Sequence, residues 1–319
     1  MEQYAKIPPP TQRQREWMQE QLFRESGPFY HLSTLPLENG LIFEEEDDLR
    51  VAFNLLARTA LEFDIEILAY ALMSNHFHFI IRGEPVDGIE FFRRFKKRLS
   101  NYFSRRGRPG ILDKVDVDPD TPAIATLTQL RNEIAYVIRN PYVARIDVNP
   151  FAFPWCSGYL YFNPFLDLLP SKSVQELTYK EKRAIFRADT IPPQSLRVRD
   201  GMIAPESFVN YRLVEQFFPN SQKFFWWVLK NVEAQVETAS KLGEKPNLND
   251  DEMFLAAQQL SRTQFGCDAV KDLSLQQRKE LAIIIKNKWG ASNGQVARIA
   301  QLEQRIVDAM FPLSAKRKS

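Results

Sequence analysis

A chain of 319 residues exceeds a typical single domain, and its 44% hydrophobic content is enough to bury a sizeable core. A formal net charge of +2 excludes a strongly polycationic or polyanionic protein, so a charged partner must be sought in local clusters. Two cysteines, Cys156 and Cys267, give neither metal-ligand spacing nor a disulfide framework. No apolar run reaches bilayer length and no signal peptide opens the sequence, so a cytoplasmic protein without a membrane partner is expected.

In chain order, Pro8-Pro9-Pro10 forms an extended leader, and Thr11 caps a helix over residues 11–25. Residues 29–34 read as a strand, 46–62 as a helix, and 65–73 and 76–82 as strands paired through Ser74-Asn75. A helix over 88–103 has the apolar stripe Ile89, Phe92, Phe95, Leu99 and Phe103. Gly107 to Gly110, with Pro109, is a turn, and 111–117 offers a fourth strand. This β-α-β-β-α-β order makes the fold class α+β: a ferredoxin-like antiparallel sheet with helices on one face and the other face open.

Downstream, Leu127, Leu130, Ile134, Val137 and Ile138 predict a helix over 128–140 that Pro141 stops. Asn163-Pro164 and Leu169-Pro170-Ser171-Lys172-Ser173 mark a boundary, so three regions are expected: 1–27, 28–164 and a mainly helical 165–319. Phe224-Phe225-Trp226-Trp227-Val228-Leu229 is too short to span a bilayer. A helix over 276–289 precedes a helix-turn-helix pattern at 293–311, with Val296, Ala297, Ala300, Leu302, Val307 and Met310 at its small or apolar positions. Gln301 stands where that turn prefers glycine, because the position often needs positive φ. Gln304 and Arg305, after Glu303, would begin a recognition helix, although two amphipathic helices with no DNA role would show the same spacing.

Of three histidines, His76 and His78 alternate with Phe77 and Phe79 along one strand, so both imidazoles point to one face. There they either grip one metal ion or sit as satisfied core residues; His31 is most simply structural. Steps of about 100° per residue put Tyr136 opposite the apolar stripe of its helix, on a polar face with Gln129, Asn132, Glu133 and Asn140. Tyr136 is either a surface tyrosine or a phenolic nucleophile, and in the second case Asn140, one turn on, would add an amide oxygen to the histidine site. Glu133 is either an assisting base or a solvated helix glutamate.

Arg93, Arg94, Lys96, Lys97, Arg98, Arg105, Arg106 and Arg108 lie on and just after the 88–103 helix. They form either a solvated face or a track for phosphates, with Phe91 and Tyr102 as stacking platforms or core rim.

The stretch Met73-Ser74-Asn75-His76-Phe77-His78-Phe79-Ile80-Ile81, followed by Ala135-Tyr136-Val137-Ile138-Arg139-Asn140-Pro141, resembles the single-tyrosine HUH transposases, close to the REP-associated tyrosine transposases. Phe29-Tyr30-His31-Leu32, Ile42-Phe43 and Phe153-Pro154-Trp155-Cys156-Ser157 fall in the matching order, so the resemblance covers roughly residues 28–162. Ser74, Tyr142 and Cys156 depart from the usual proline, valine and serine, and the acidic Asp113, Asp116, Asp118 and Asp120 replace an aromatic and basic segment.

The resemblance implies metal-dependent cleavage and rejoining of single-stranded or hairpin DNA through a 5′-phosphotyrosine on Tyr136. Magnesium or manganese would be held by His76, His78 and Asn140, and the protein would act as a monomer or homodimer at the nucleoid. The alternative is a domesticated, non-cleaving DNA-binding protein on the same scaffold.

Overall fold

The computed structural model describes residues 10–312 apart from 38–39, 119, 145–148, 188–192, 245 and 247. Most of the Pro8-Pro9-Pro10 leader and the terminal Lys316-Arg317-Lys318 therefore lie outside the described residues. Contacts divide the rest into two units, one running to Lys230 without Val143 and Ala144, the other holding those two residues and the chain from Asn231 onward.

The first unit opens with α1 (Gln12–Ser26), where Thr11 and Gln14 exchange hydrogen bonds in a capping box. Then follow β1 (Phe29–Ser33), α2 (Glu46–Ala60), β2 (Ile65–Met73), β3 (His76–Gly83), α3 (Pro85–Arg105) and α4 (Leu127–Ala144). The strands form one antiparallel sheet in the order β1-β3-β2, with His78 opposite Ser33 on one side and Ala71 on the other.

The expected fourth strand at 111–117 is absent. Asp113 N–H donates to Gly110 O and Val115 N–H to Leu112 O, so that backbone is satisfied in turns, while Leu112, Val115 and Val117 still bury into the core. Alternating apolar residues there record burial rather than pairing.

Neither face of the sheet is open, contrary to expectation. On one, Tyr70, Leu72, Phe77, Phe79 and Ile81 pack against Val51, Leu55, Phe91, Phe92, Phe95 and Leu99 of α2 and α3. On the other, Leu68, Ala69, Ala71 and Ile80 pack against Leu130, Ile134, Ala135 and Ile138 of α4. Two consecutive residues, Leu68 and Ala69, reach this second face because a bulge follows Ile67.

Pro141 does not stop α4, which runs on to Ala144. Proline cannot donate to Val137 O four residues back, but the Cys156 thiol lies 3.9 Å from that oxygen and 3.8 Å from Ile138 O. Gly158 lets the segment after Cys156 approach closely: a Cβ there would sit 2.4 Å from Pro150 O and 2.9 Å from Ile138 Cγ2.

The contacts do not divide at 164/165. Residues 165–230 belong to the first unit and contribute β4 (Lys172–Ser173), α5 (Tyr179–Phe186), β5 (Arg197–Arg199), β6 (Met202–Ile203), α6 (Tyr211–Phe217) and α7 (Ser221–Leu229). The small sheet β4-β5-β6 and α5 form a core with Ala57 of α2. α6 and α7 lie against α4, where polar side chains tie them: Arg131 Nε donates to Phe217 O at 2.6 Å, and Trp227 Nε1 donates to Asn132 Oδ1 at 2.9 Å.

The second unit holds α8 (Val232–Lys241), α9 (Asp250–Phe265), α10 (Leu275–Trp289), α11 (Asn293–Ala300) and α12 (Gln304–Met310). Its core joins Met253, Ala257, Leu281, Ile285, Trp289, Val296, Ala300, Leu302 and Val307. α11 and α12 are linked by three residues, and Gln301 adopts φ 52°, ψ 46°, the left-handed conformation the pattern required, without glycine. No described helix is long and apolar enough to cross a membrane.

Candidate functional site

β3 and α4 bring His76, His78, Tyr136 and Asn140 together on the second face of the sheet. Alternation along β3 sends Phe77 and Phe79 into the aromatic core under α3 and leaves His76 and His78 facing α4. Although 62 positions apart in sequence, Asn140 Nδ2 lies 3.0 Å from His78 Nε2. The Tyr136 ring stands edge-on to that of His78, with centroids 5.7 Å apart and an interplanar angle of 89°.

Tyr136 is only 9% exposed, so the polar helix face expected for it is buried. Glu133 is buried too, not a solvated helix residue, and accepts from Gln129 Nε2 at 2.7 Å. His31, expected to be merely structural, joins the cluster: its Nε2 lies 3.2 Å from His78 Nδ1, and its Nδ1 3.4 Å from Glu133 Oε2. That second contact has ion-pair distance without hydrogen-bond geometry, since His31 Nδ1 also counts as unpartnered among the described residues. Alternation along Phe29, His31 and Ser33 puts His31 on the face of Ser33, but only the register, in which Ser33 pairs directly with His78, makes that the histidine face.

The residues fit a divalent cation. Asn75 Oδ1 can only accept, so its 2.8 Å contact places the proton of His76 on Nδ1. His76 Nε2 then presents a bare, buried lone pair without a hydrogen-bond partner among the described residues. Burial lowers His76 to about 4, with the Asn140 amide acting in the opposite direction, and burial with neighbouring His76 and His31 holds His78 well below the usual imidazole range. Both rings are thus neutral near pH 7, the form that ligates metals. Asn140 turns its nitrogen toward His78 here; the opposite orientation of the same amide would offer its oxygen to an ion.

The basic run lies elsewhere. α3 packs on the first face of the sheet, so the three strands separate it from the histidines. Several of its cations are engaged: Arg93 with Glu90 at 2.7 Å, Lys96 with Asp116 at 3.4 Å, Arg98 with Glu62 and Arg106 with Glu45, both at 2.8 Å, and Arg108 with buried Asp48 at 2.9 Å. Arg94, Lys97 and Arg105 are exposed, without an ion pair among those described. Neither aromatic candidate is a stacking platform: Phe91 is fully buried beside Phe63, Phe79 and Phe95, and the Tyr102 hydroxyl donates to Asp48 at 2.8 Å. In the second unit, Gln304 Nε2 donates to Asp308 at 2.9 Å and the exposed Arg305 to Glu303 at 2.5 Å.

Neither a family model nor a curated protein matches the chain. Among solved structures, that of a REP-associated tyrosine transposase bound to a REP hairpin is similar over 46% of this chain and 83% of that chain, at 16% identity and a TM-score of 0.35. A likeness of that size fixes neither the fold nor the activity of this chain.

Proposed function

We propose that the protein is a metal-dependent DNA strand transferase and single-strand endonuclease of the tyrosine type, acting on single-stranded or hairpin DNA. The observation that carries this is the convergence of two neutral imidazoles, an amide and a phenol, supplied by one strand and one helix, within 3.0 Å (His78 to Asn140) and a 5.7 Å ring separation (His78 to Tyr136). His76, His78 and Asn140 would hold the cation, magnesium or manganese. When bound, it supplies positive charge to the non-bridging oxygens of a phosphodiester.

Tyr136 is the nucleophile. Its oxygen bonds to phosphorus in line with the 3′ leaving oxygen, the phenolic proton departs to a base, the P–O3′ bond breaks, and the 3′ oxygen takes up a proton. One strand end remains as a 5′-phosphotyrosine and the other carries a free 3′ hydroxyl, so the ester keeps the energy needed for rejoining. An ordinary phenol has a pKa of about 10, so proton removal must accompany attack. Glu133, one helical turn before Tyr136, is the carboxylate on that helix face.

The α11-turn-α12 pair would hold a duplex stem through Gln304 and Arg305, and the free cations Arg94, Lys97 and Arg105 would add backbone contacts. Arg305→Ala should then weaken hairpin binding measurably at low salt; unchanged affinity would remove that helix from the interface.

The burial of Tyr136 favours a second possibility, a non-cleaving DNA-binding protein on the same scaffold. Incubating wild type and Tyr136→Phe with hairpin oligonucleotides and Mn2+ separates the two. Cleavage with a denaturant-resistant adduct in wild type alone supports the transferase, whereas hairpin binding without cleavage in both supports the alternative.

A further inference from the structure

We propose that His31 and Glu133 form a buried positioning relay that fixes the proton of His78 on Nδ1 and keeps its Nε2 bare toward the cation; this rests on the metal site proposed above. The relay runs through three contacts, from Gln129 Nε2 to Glu133 Oε1 at 2.7 Å, from Glu133 Oε2 to His31 Nδ1 at 3.4 Å, and from His31 Nε2 to His78 Nδ1 at 3.2 Å. Every ring in it is at most 3% exposed, so water does not compete.

The direction of the protons follows from the two ends. Glu133 Oε2 faces His31 Nδ1 at 3.4 Å without hydrogen-bond geometry, so a carboxylate there favours a proton on that nitrogen by charge alone. With its proton on Nδ1, His31 offers Nε2 as the acceptor for His78 Nδ1 at 3.2 Å. At the far side of His78, Asn140 Nδ2 donates to Nε2 at 3.0 Å, which also requires that nitrogen to be bare. Both ends select the same tautomer. The opposite one would set the His78 Nε2 proton against the Asn140 amide hydrogens and leave two bare nitrogens facing each other between the histidines.

This assigns a use to a histidine that the proposed chemistry leaves idle. A ligand imidazole held by a hydrogen bond at its other nitrogen is oriented and made more basic, and loss of such a partner typically costs about 10–100-fold in metal affinity. His31 is a positioning residue: it touches His78, not the cation or the DNA.

The test uses the full-length chain labelled with 15N-histidine, whose three histidines are assigned by substitution. Long-range 1H–15N correlations on metal-free wild type should show His78 protonated at Nδ1, and His31→Leu should shift it toward the Nε2–H form. His31→Gln, whose amide oxygen can replace the lost acceptor, should restore the wild-type pattern. Mn2+ affinity read by electron paramagnetic resonance should fall about 10–100-fold in His31→Leu and recover in His31→Gln.

Wild-type His78 protonated at Nε2, or a tautomer indifferent to His31→Leu, would overturn the relay; the wild-type spectrum decides even if a variant fails to fold. Wild type with the expected tautomer but no Mn2+ binding would uphold the relay and instead remove the metal site.

Discussion

The two faces of the β1-β3-β2 sheet are built from alternate residues of the same strands, yet they do different work. Toward α2 and α3, Phe77 and Phe79 meet Phe91, Phe92 and Phe95 in an aromatic core. Toward α4, their neighbours His76 and His78 meet His31, Glu133, Tyr136 and Asn140. Both faces carry an apolar core, and the second also holds buried polar nitrogens that are not all satisfied among the described residues, His31 Nδ1 and His76 Nε2.

The sharpest way to break this division is to exchange effects between adjacent residues. Phe77→Ala empties a fully buried site and should cost about 3–5 kcal/mol in urea unfolding. His78→Ala, one residue on, should cost about 1–3 kcal/mol by stranding its partners, and should abolish Mn2+ binding, which Phe77→Ala in any surviving folded fraction should keep. Equal stability costs and equal metal losses would mean that the faces are not functionally distinct.

A smaller effect should appear with pH in the metal-free protein. His76 is held near 4 in the folded state against about 6.5 unfolded, so the unfolded chain binds more protons between those values. The contribution is complete above about 6.5 and is lost as pH falls toward 4, at most about 3 kcal/mol for this ring. His78 acts in the same direction. Chemical denaturation at pH 7 and 5 should show the loss, and His76→Phe should flatten it; a pH-independent midpoint in wild type would contradict the buried neutral histidines.

The smallest effect belongs to the far side of the sheet. Arg94→Gln with Lys97→Gln should change stability by less than about 0.5 kcal/mol, since neither is paired among the described residues. The double variant should reduce the salt dependence of DNA binding while leaving metal affinity unchanged. A loss of Mn2+ binding would show that the sheet does not insulate the two sides.

Much of the first unit could be read locally. The strands at Ile65–Met73 and His76–Gly83 lie where periodicity placed them, and the His-Phe-His-Phe alternation does divide between two faces. His31 escaped, and the choice between the two readings of Glu133 stayed open, because both depend on register and helix placement: β1 must pair with β3, and α4 must cross the same face, before either approaches His78. The covered second face was equally illegible. α6 and α7 return to α4 through bonds such as Arg131 to Phe217 O, 86 residues away, which no local period encodes. At residue 301 the positive φ that the turn favours is present, at 52°, although glutamine and not glycine occupies it.

If Tyr136 attacks phosphorus as proposed, its product can be trapped and located. Wild-type protein would be incubated with Mn2+ and a hairpin oligonucleotide labelled on both sides of the cleavage point, denatured and digested, and the linked peptide sequenced by mass spectrometry. A 5′-phosphonucleotide is expected on Tyr136, with the upstream fragment released bearing a 3′ hydroxyl. Cleavage with no linked peptide, persisting in Tyr136→Phe, would mean that water is the nucleophile and that the tyrosine only supports the site.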